Sequence, residues 1–226
     1  MSAESPAGAP AALLVIAKEP IPGRSKTRLS PPCTPEQAAA LAEAALTDTL
    51  AAVSAVAGER RRLLVLEGAP GRWLPAGFEV HSQRSGGLGD RLAGAFAAAG
   101  GPAFLVGMDT PQLVAAHIEQ GVAALERPGI DAVLGRAPDG GYWAIGLRRP
   151  DERVFEGVPM SSDETGAAQR ARLDELGLAT VELESLRDVD TIDDARAVAA
   201  ERPDSGFART LEAIGLAMAA VFDHPA

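Results

Sequence analysis

The chain predicts a three-layer α/β/α fold around a mostly parallel sheet, and two observations carry that prediction. Short apolar runs of strand length alternate along the 226 residues with stretches of helical periodicity, the pattern of consecutive βαβ units. The first run, Leu13 to Ala17, breaks on Pro20, Pro22 and Gly23 and then delivers Arg24, Lys26 and Arg28. A strand does not continue through two prolines, so these cations occupy a loop at its carboxyl end, the edge where open α/β sheets bind ligands.

The elements follow in order. Residues 1–10 are small, Pro-rich and polar and read as a disordered tail, leaving 11–226 as a single domain. After the basic loop, Thr34-Pro35-Glu36-Gln37 marks a helix start, Thr34 as cap and Pro35 at the first helical position. Leu41, Ala45, Leu46, Thr49 and Val53 continue it at helical spacing, and it ends by Gly58. Leu63 to Leu66 is a second strand and Phe78 to His81 an edge strand. A glycine-rich turn, Gly86-Gly87-Leu88-Gly89, runs into a helix over Asp90 to Ala99. Strand Phe104 to Val106 stops at Gly107-Met108-Asp109-Thr110-Pro111, and a helix covers Gln112 to Leu125. Strands at Ala132 to Leu134 and Tyr142 to Leu147 flank Asp139-Gly140-Gly141. A helix at Thr165 to Leu176, a strand at Ala179 to Leu183, and final helices from Asp193 to near Phe222 complete the chain. The stretch from Arg148 to Ser162 is linker-like but too short to divide it into two domains.

A formal net charge of −10 argues against general affinity for nucleic acid or anionic membrane. Against that background the basic loop is a local feature. The single cysteine, Cys33, excludes an internal disulfide and a Cys-based zinc site. The N-terminus lacks a basic region followed by a long apolar core, and no run approaches the ~20 apolar residues of a membrane span. A cytoplasmic protein is expected. His81, His117 and His224 match no triad or zinc spacing.

Three cations on one loop ask for a polyanion, such as a nucleoside triphosphate or diphosphate; the competing reading is ordinary solvated charge. Gly23 through Thr27 reads G-R-S-K-T but is not a Walker A loop: Ser25 precedes Lys26, Glu19 stands where the first glycine belongs, and Pro31-Pro32 interrupt a following helix. Asp109, just past a buried strand, suits a Mg²⁺ or Mn²⁺ ligand, or equally a cap for the next helix. Asp188 and Asp190 share a face of an extended segment and are assigned to metal, whereas Asp193 and Asp194 are assigned to capping the final helix and to the surface. Gly86, Gly87 and Gly89 let backbone N–H groups approach a ligand, or simply make a turn. Gly140-Gly141 similarly offer bare backbone to a substrate.

Together AKEPIPGRSKTRL, GLGDRL, VGMDTPQL, GRAPDGGYWAIGL and DVDTIDDA resemble, in their order, a bacterial family of glycosyltransferase-like transferases. That family carries the label radical-SAM/selenodomain-associated transferase and is related to 2-phospholactate and phosphoenolpyruvate guanylyltransferases. The resemblance spans about Leu13 to Ala195 and implies a glycosyltransferase-A fold of the nucleotide-diphospho-sugar transferase type. It implies that Lys26 and Arg28 hold nucleotide phosphates, with Arg24 nearby, and that Ala17, Gly23, Gln83, Gly87, Leu88 and Gly89 complete the nucleotide site, Gln83 and the glycine turn facing the base. It implies Asp109 and Asp190, with Asp188 adjacent, as metal ligands. Asp139, Gly140, Gly141 and Tyr142, with Ser161 and Ser162, fall on the acceptor side. The sequence departs at Arg136, where the family carries proline, adding a cation near that side.

The expected activity is metal-dependent nucleotidyl transfer from a nucleoside triphosphate to a small phosphorylated or acidic acceptor, with Lys26, Arg28 and Asp109 as its catalytic residues and Mg²⁺ or Mn²⁺ as cofactor. The alternatives are glycosyl transfer from a nucleotide sugar and a non-catalytic nucleotide-binding module. The expected partners are the nucleotide and a small-molecule acceptor, and a homodimer is among the assemblies considered.

Overall fold

Leu13, Val15 and Ala17 point to one face of the first strand, β1 (Ala12–Lys18), and Ala12 and Leu14 to the other, and all five are buried. A strand apolar on both faces belongs in the interior of a sheet covered on both sides, and β1 lies there, paired with a neighbouring strand on each side. The computed structural model describes residues 10–217. The tail expected over residues 1–10 lies, Pro10 apart, outside them, as does the stretch towards Phe222.

The further strands are β2 (Arg62–Glu67), β3 (Glu79–Ser82), β4 (Ala103–Val106), β5 (Ala132–Arg136), β6 (Tyr142–Leu147) and β7 (Thr180–Leu183). They form one seven-stranded sheet in the order β3-β2-β1-β4-β6-β5-β7. Every strand runs parallel to β1 except β6, which is antiparallel to both β4 and β5. The reversal has a simple cause: residues 137–141 are too few for a crossover, so β5 and β6 close as a hairpin.

Helices α1 (Pro35–Ser54) and α3 (Ala115–Glu126) cover one face, with Leu46, Leu50, Ile118 and Val122 packed on Leu13, Val15 and Phe104. Helices α2 (Leu88–Ala99) and α4 (Thr165–Glu175) cover the other, with Leu92, Phe96 and Leu173 on Leu14, Leu105 and Ile145. The expected three layers are therefore present. A further pair, α5 (Ile192–Glu201) and α6 (Gly206–Ala213), packs on the outer side of α1 through Val198, Phe207 and Leu211. Helix α1 is consequently buried on two sides, which its long Ala/Leu sequence allows. Its start is as expected: Gln37 N donates to Thr34 Oγ1 at 3.2 Å and Thr34 N to Gln37 Oε1 at 2.8 Å. Within the stretch from Arg148 to Ser162, Phe155, in a short 3-10 turn, stacks on Phe96 of α2 with ring centroids 5.8 Å apart.

One boundary differs in a way that matters. The helix expected from Gln112 begins at Ala115, because residues 111–114 are spent on tertiary contacts. Leu113 is fully buried, and Gln112 Nε2 donates to the Arg187 carbonyl at 2.8 Å. Among the described residues no helix is long and apolar enough to cross a membrane.

The directions of the strands decide where the loops go. The loops after β1, β2, β3, β4, β5 and β7 all leave from the same edge of the sheet. The order reverses between β1 and β4, the position at which such sheets open a crevice.

Candidate active site

The basic loop is shaped by its own backbone. Ser25 Oγ accepts from Ile21 N at 3.0 Å and donates to the Glu19 carbonyl at 3.1 Å. Gly23 takes φ +74° and Lys26 takes φ 49°, both in the left-handed region, and a 3-10 turn over Thr27–Leu29 follows. Leu29, fully buried against Leu41 and Val189, anchors the far end.

This folding separates the three cations. Lys26 is drawn inward until its side chain is 10% exposed. Its Nζ lies 2.7 Å from Asp109 Oδ1 and 3.9 Å from Asp190 Oδ1, and it donates to the Val189 carbonyl. Arg28 stays 74% exposed and places Nη1 3.0 Å from Asp190 Oδ2. Arg24 lies on the other side, where its charge reaches Glu67 at the end of β2. The loop after β1 and the acidic segment before α5 thus meet across the β1/β4 crevice.

Asp109 does not cap α3, whose first residue is Ala115; the capping reading of that residue is set aside. Its carbonyl accepts from Val189 N at 2.9 Å, which ties the end of β4 to the Asp188–Asp190 segment. Thr110, 1% exposed, donates from Oγ1 to Asp188 Oδ1 at 2.7 Å. Burial pushes the Asp188 carboxyl up to about 7; the charges of Asp109 and Asp139 act in the same direction, while the Thr110 bond and Lys26 oppose it. Asp193 and Asp194 take the roles expected. Asp194 closes the capping box with Thr191 and pairs with Arg187, and the exposed Asp193 pairs with Arg196. Among the described residues no three His, Cys, Asp or Glu side chains form a group that could hold a metal ion. The reason is visible: Asp188 turns to Thr110, and Asp190 is shared between Lys26 and Arg28.

The glycine turn also reaches this edge. Gly86 has φ +116°, Gly87 N donates to Asp90 Oδ2 at 2.8 Å, and α2 already begins at Leu88, whose side chain is exposed. Gln83, which the resemblance places facing the base, is already hydrogen-bonded within the chain. Its Nε2 donates to the Ala17 and Val65 carbonyls at 2.7 and 3.2 Å, and its Oε1 accepts from Arg91 at 3.3 Å. The amide therefore ties together the ends of β1 and β2. Arg91 also pairs with Glu67. Burial raises the Glu67 pKa, but this hydrogen bond and the charges of Lys18, Arg91 and Arg24 hold it below the usual carboxylate range. Glu67, Arg91, Thr110 and Gln112 escaped the sequence reading. A signal existed for two of them: Glu67 ends a strand at the ligand edge, and Arg91 lies within GLGDRL.

The acceptor-side residues divide. Asp139 lies close enough to Asp188 to raise its pKa, and its Oδ1 accepts from Gly141 N at 2.9 Å. Gly140 and Gly141, expected to offer bare backbone to a substrate, instead receive the start of α4. A Cβ on Gly140 would sit 1.9 Å from the Asp163 carbonyl oxygen, and Gly166 N donates to the Gly140 carbonyl at 2.7 Å. The Tyr142 ring packs on the α2/α4 side of the sheet, its hydroxyl 3.4 Å from Gln169 Oε1, and burial pushes the phenol pKa up. Ser162 shapes the turn into α4 through Thr165 and Glu164 N, and Ser161 takes φ 60°. A groove of about 720 Å³ lies at the opposite edge, near Arg60, Arg61 and Pro102. Arg60 is engaged there by Glu126 and Arg61 by Glu79, and none of the candidate residues reaches it.

Comparison with solved structures places this architecture among nucleotide-diphospho-sugar transferase-like folds. The "putative nucleotide-diphospho-sugar transferase" of Desulfovibrio desulfuricans G20 superposes with a TM-score of 0.82 at 23% identity, over 92% of this chain and 96% of that one. CMP:2-keto-3-deoxy-manno-octonic acid synthetase complexed with CTP gives 0.55 at 13% identity, over 85% and 99%. The 2-C-methyl-D-erythritol 4-phosphate cytidylyltransferase of Thermus thermophilus gives 0.52 at 17%, over 86% and 100%. Identities this low establish the fold. The chain belongs to the DUF2064 family, described as an uncharacterized protein conserved in bacteria, whose family model matches residues 38–162. That span contains Gln83, Asp109 and the Asp139–Tyr142 loop, while the basic loop and Asp188–Asp190 lie outside it. No curated protein matches the sequence.

Proposed function

We propose that the protein is a metal-dependent nucleotidyltransferase that moves NMP from a nucleoside triphosphate to a small phosphorylated or acidic acceptor. One observation carries the reading: Lys26 Nζ and Asp109 Oδ1 lie 2.7 Å apart at the β1/β4 switch point, joining the basic loop to the acidic segment at the ligand edge. Its fold is one that cytidylyltransferases use.

Carboxylate and carbonyl oxygens are the donor type a hard divalent cation takes, and they would close on one only once Lys26 and Arg28 move off them. Oxygens of Asp109 and Asp190 and the Val189 carbonyl already surround one cationic atom, Lys26 Nζ, and Asp188 lies within the field of Asp109. Asp109, Asp188 and Asp190 would hold Mg²⁺ or Mn²⁺, which when bound withdraws charge from the α-phosphate. Lys26 and Arg28, released from their carboxylates, would neutralise the β- and γ-phosphates, with Arg24 beside them. Gly23, the Ala17 strand end held by Gln83, and the Gly87–Gly89 start of α2 would seat the nucleotide. An acceptor oxygen held near Asp139 and the Ser161–Ser162 turn would attack the α-phosphorus. The new P–O bond forms as the α–β bridge breaks, and pyrophosphate leaves with its charge on Lys26 and Arg28. An acceptor oxygen that is already anionic requires no protein base.

Glycosyl transfer from a nucleotide sugar is the second reading, favoured by the description of the Desulfovibrio protein and its TM-score of 0.82. The exposed Arg28 together with Lys26 and Arg24 favours the triphosphate, because a metal-bound diphosphate needs fewer cations.

A panel of nucleoside triphosphates and nucleotide sugars, each with and without Mg²⁺ or Mn²⁺, tests this by melting temperature and product release. Ligand at 100 times its Kd adds about 2.7 kcal/mol to stability. Metal-dependent pyrophosphate release from one triphosphate and an acceptor pool supports nucleotidyl transfer. Release of nucleoside diphosphate from a nucleotide sugar supports glycosyl transfer. Binding without turnover returns the chain to a nucleotide-binding module, and no shift with either class overturns all three readings.

A further inference from the structure

Lys26 is the residue whose position the proposed chemistry leaves least explained. Long lysine side chains ordinarily keep their ammonium in water, yet this one is 10% exposed. It extends from a backbone at φ 49°, where residues other than glycine are uncommon. Its Nζ is 2.7 Å from Asp109 Oδ1, 3.9 Å from Asp190 Oδ1, and bonded to the Val189 carbonyl. Those are oxygen donors of the kind a divalent cation requires. Arg28 holds the other oxygen of Asp190 at 3.0 Å, and Thr110 holds Asp188 at 2.7 Å. Each of the three carboxylates thus has a donor from its own chain before any ligand arrives.

Two cations cannot share this place. A magnesium-sized ion bonds carboxylate oxygen at about 2.0–2.1 Å, and an ammonium against the same oxygen would then be held in direct like-charge contact with it. Resting on the nucleotidyl-transfer reading, we infer that Lys26 is the resident counter-ion of the carboxylate site and that it and the metal exclude each other there. A polyphosphate offers Lys26 and Arg28 richer acceptors than single carboxylates do, and drawing them away exposes Asp109 and Asp190. Metal therefore enters with the nucleotide, not ahead of it. By linkage, the factor by which polyphosphate raises metal affinity equals the factor by which metal raises polyphosphate affinity.

The test is Mn²⁺ binding to the full chain without nucleotide, read from the electron paramagnetic resonance signal of free Mn²⁺. The proteins are wild type, Lys26→Met, Lys26→Arg and the double variant Lys26→Met/Asp109→Asn. Lys26→Met is expected to bind Mn²⁺ at least about tenfold more tightly than wild type, about 1.4 kcal/mol. Lys26→Arg, which keeps the charge, stays near wild type, and Asp109→Asn cancels the gain. Far-ultraviolet circular dichroism confirms the fold, and Lys26→Ala supplies the same comparison where the methionine variant does not fold. Equal or weaker binding by Lys26→Met, with Asp109→Asn still lowering it, overturns the counter-ion role and leaves the metal reading standing. Mn²⁺ bound by none of the proteins overturns the counter-ion role, and Mn²⁺ bound without regard to Asp109 overturns both.

Discussion

Thr110 Oγ1 donates to Asp188 Oδ1 at 2.7 Å, joining the turn after β4 to the segment before α5 across 78 residues of sequence. The threonine is 1% exposed, so its hydroxyl has no solvent to turn to, and it holds one oxygen of a carboxylate that burial otherwise drives towards the neutral form. Thr110→Val keeps the shape and removes the donor. Turnover with metal and nucleotide should fall about tenfold or more, and Thr110→Ser should restore most of it. An unchanged rate in the valine variant would remove Asp188 from the working site.

Asp109→Asn should abolish metal-dependent turnover while leaving the melting temperature near wild type, because Lys26 retains Asp190 and the Val189 carbonyl as partners. Lys26→Ala should lower kcat/KM roughly 100-fold, the scale of losing one preorganised cation at a transferring phosphate. Steady-state kinetics on the substrate identified by the panel checks both, and a neutral Lys26→Ala would return that lysine to a structural ion pair.

Gln83→Leu should cost about 1–2 kcal/mol of stability, since the carbonyls of Ala17 and Val65 lose a donor. It should also weaken nucleotide binding by loosening the ends of β1 and β2. Urea unfolding separates the two roles: a glutamine serving only a bound base would leave the midpoint where it was.

Gly140→Ala should destabilise the protein by about 1–3 kcal/mol from the backbone conformation alone. The site is at φ +91°, and the added methyl would meet the Asp163 carbonyl at 1.9 Å. Equilibrium unfolding measures it, and a variant as stable as wild type would show that the loop and the start of α4 are not packed together as described.

Glu126 supplies a pH test away from the site. Its hydrogen bond to Arg60, helped by one from Ala11 N and opposed by burial, holds its carboxyl below the ordinary value of 4.5. A depressed folded pKa gives stability that is present above the unfolded value and lost as pH falls through the folded one. Glu126→Gln should therefore be less stable than wild type at pH 7 by about 0.5–1 kcal/mol, the scale of a partly exposed pair. That difference should shrink as pH drops below about 4.5. A gap that widened on acidification would reverse the assignment.

Local chemistry in the sequence determined much of this protein. Thr34-Pro35 with Gln37 writes a helix start within four residues, and α1 begins there. Leu13 to Ala17, apolar at every position, has the length and composition of a buried strand. Two prolines then force Arg24, Lys26 and Arg28 into a loop at the ligand edge. Those features depend on neighbours in the chain and were legible without coordinates. Tertiary structure decided what depends on groups far apart in sequence. From sequence Asp109 suited a metal ligand or a helix cap equally; Leu113 and Gln112 are spent on core contacts, which delays α3 to Ala115 and removes the cap. Gln83 read as a base contact through the family resemblance, and the Gly140-Gly141 pair because bare backbone suits ligands; the groups that meet them, the Ala17 and Val65 carbonyls and the start of α4, come from elsewhere in the chain. The pairing of Lys26 with Asp109 lies deepest beyond the sequence, because an ion pair between residues 83 positions apart exists only where strand order brings β1 and β4 side by side.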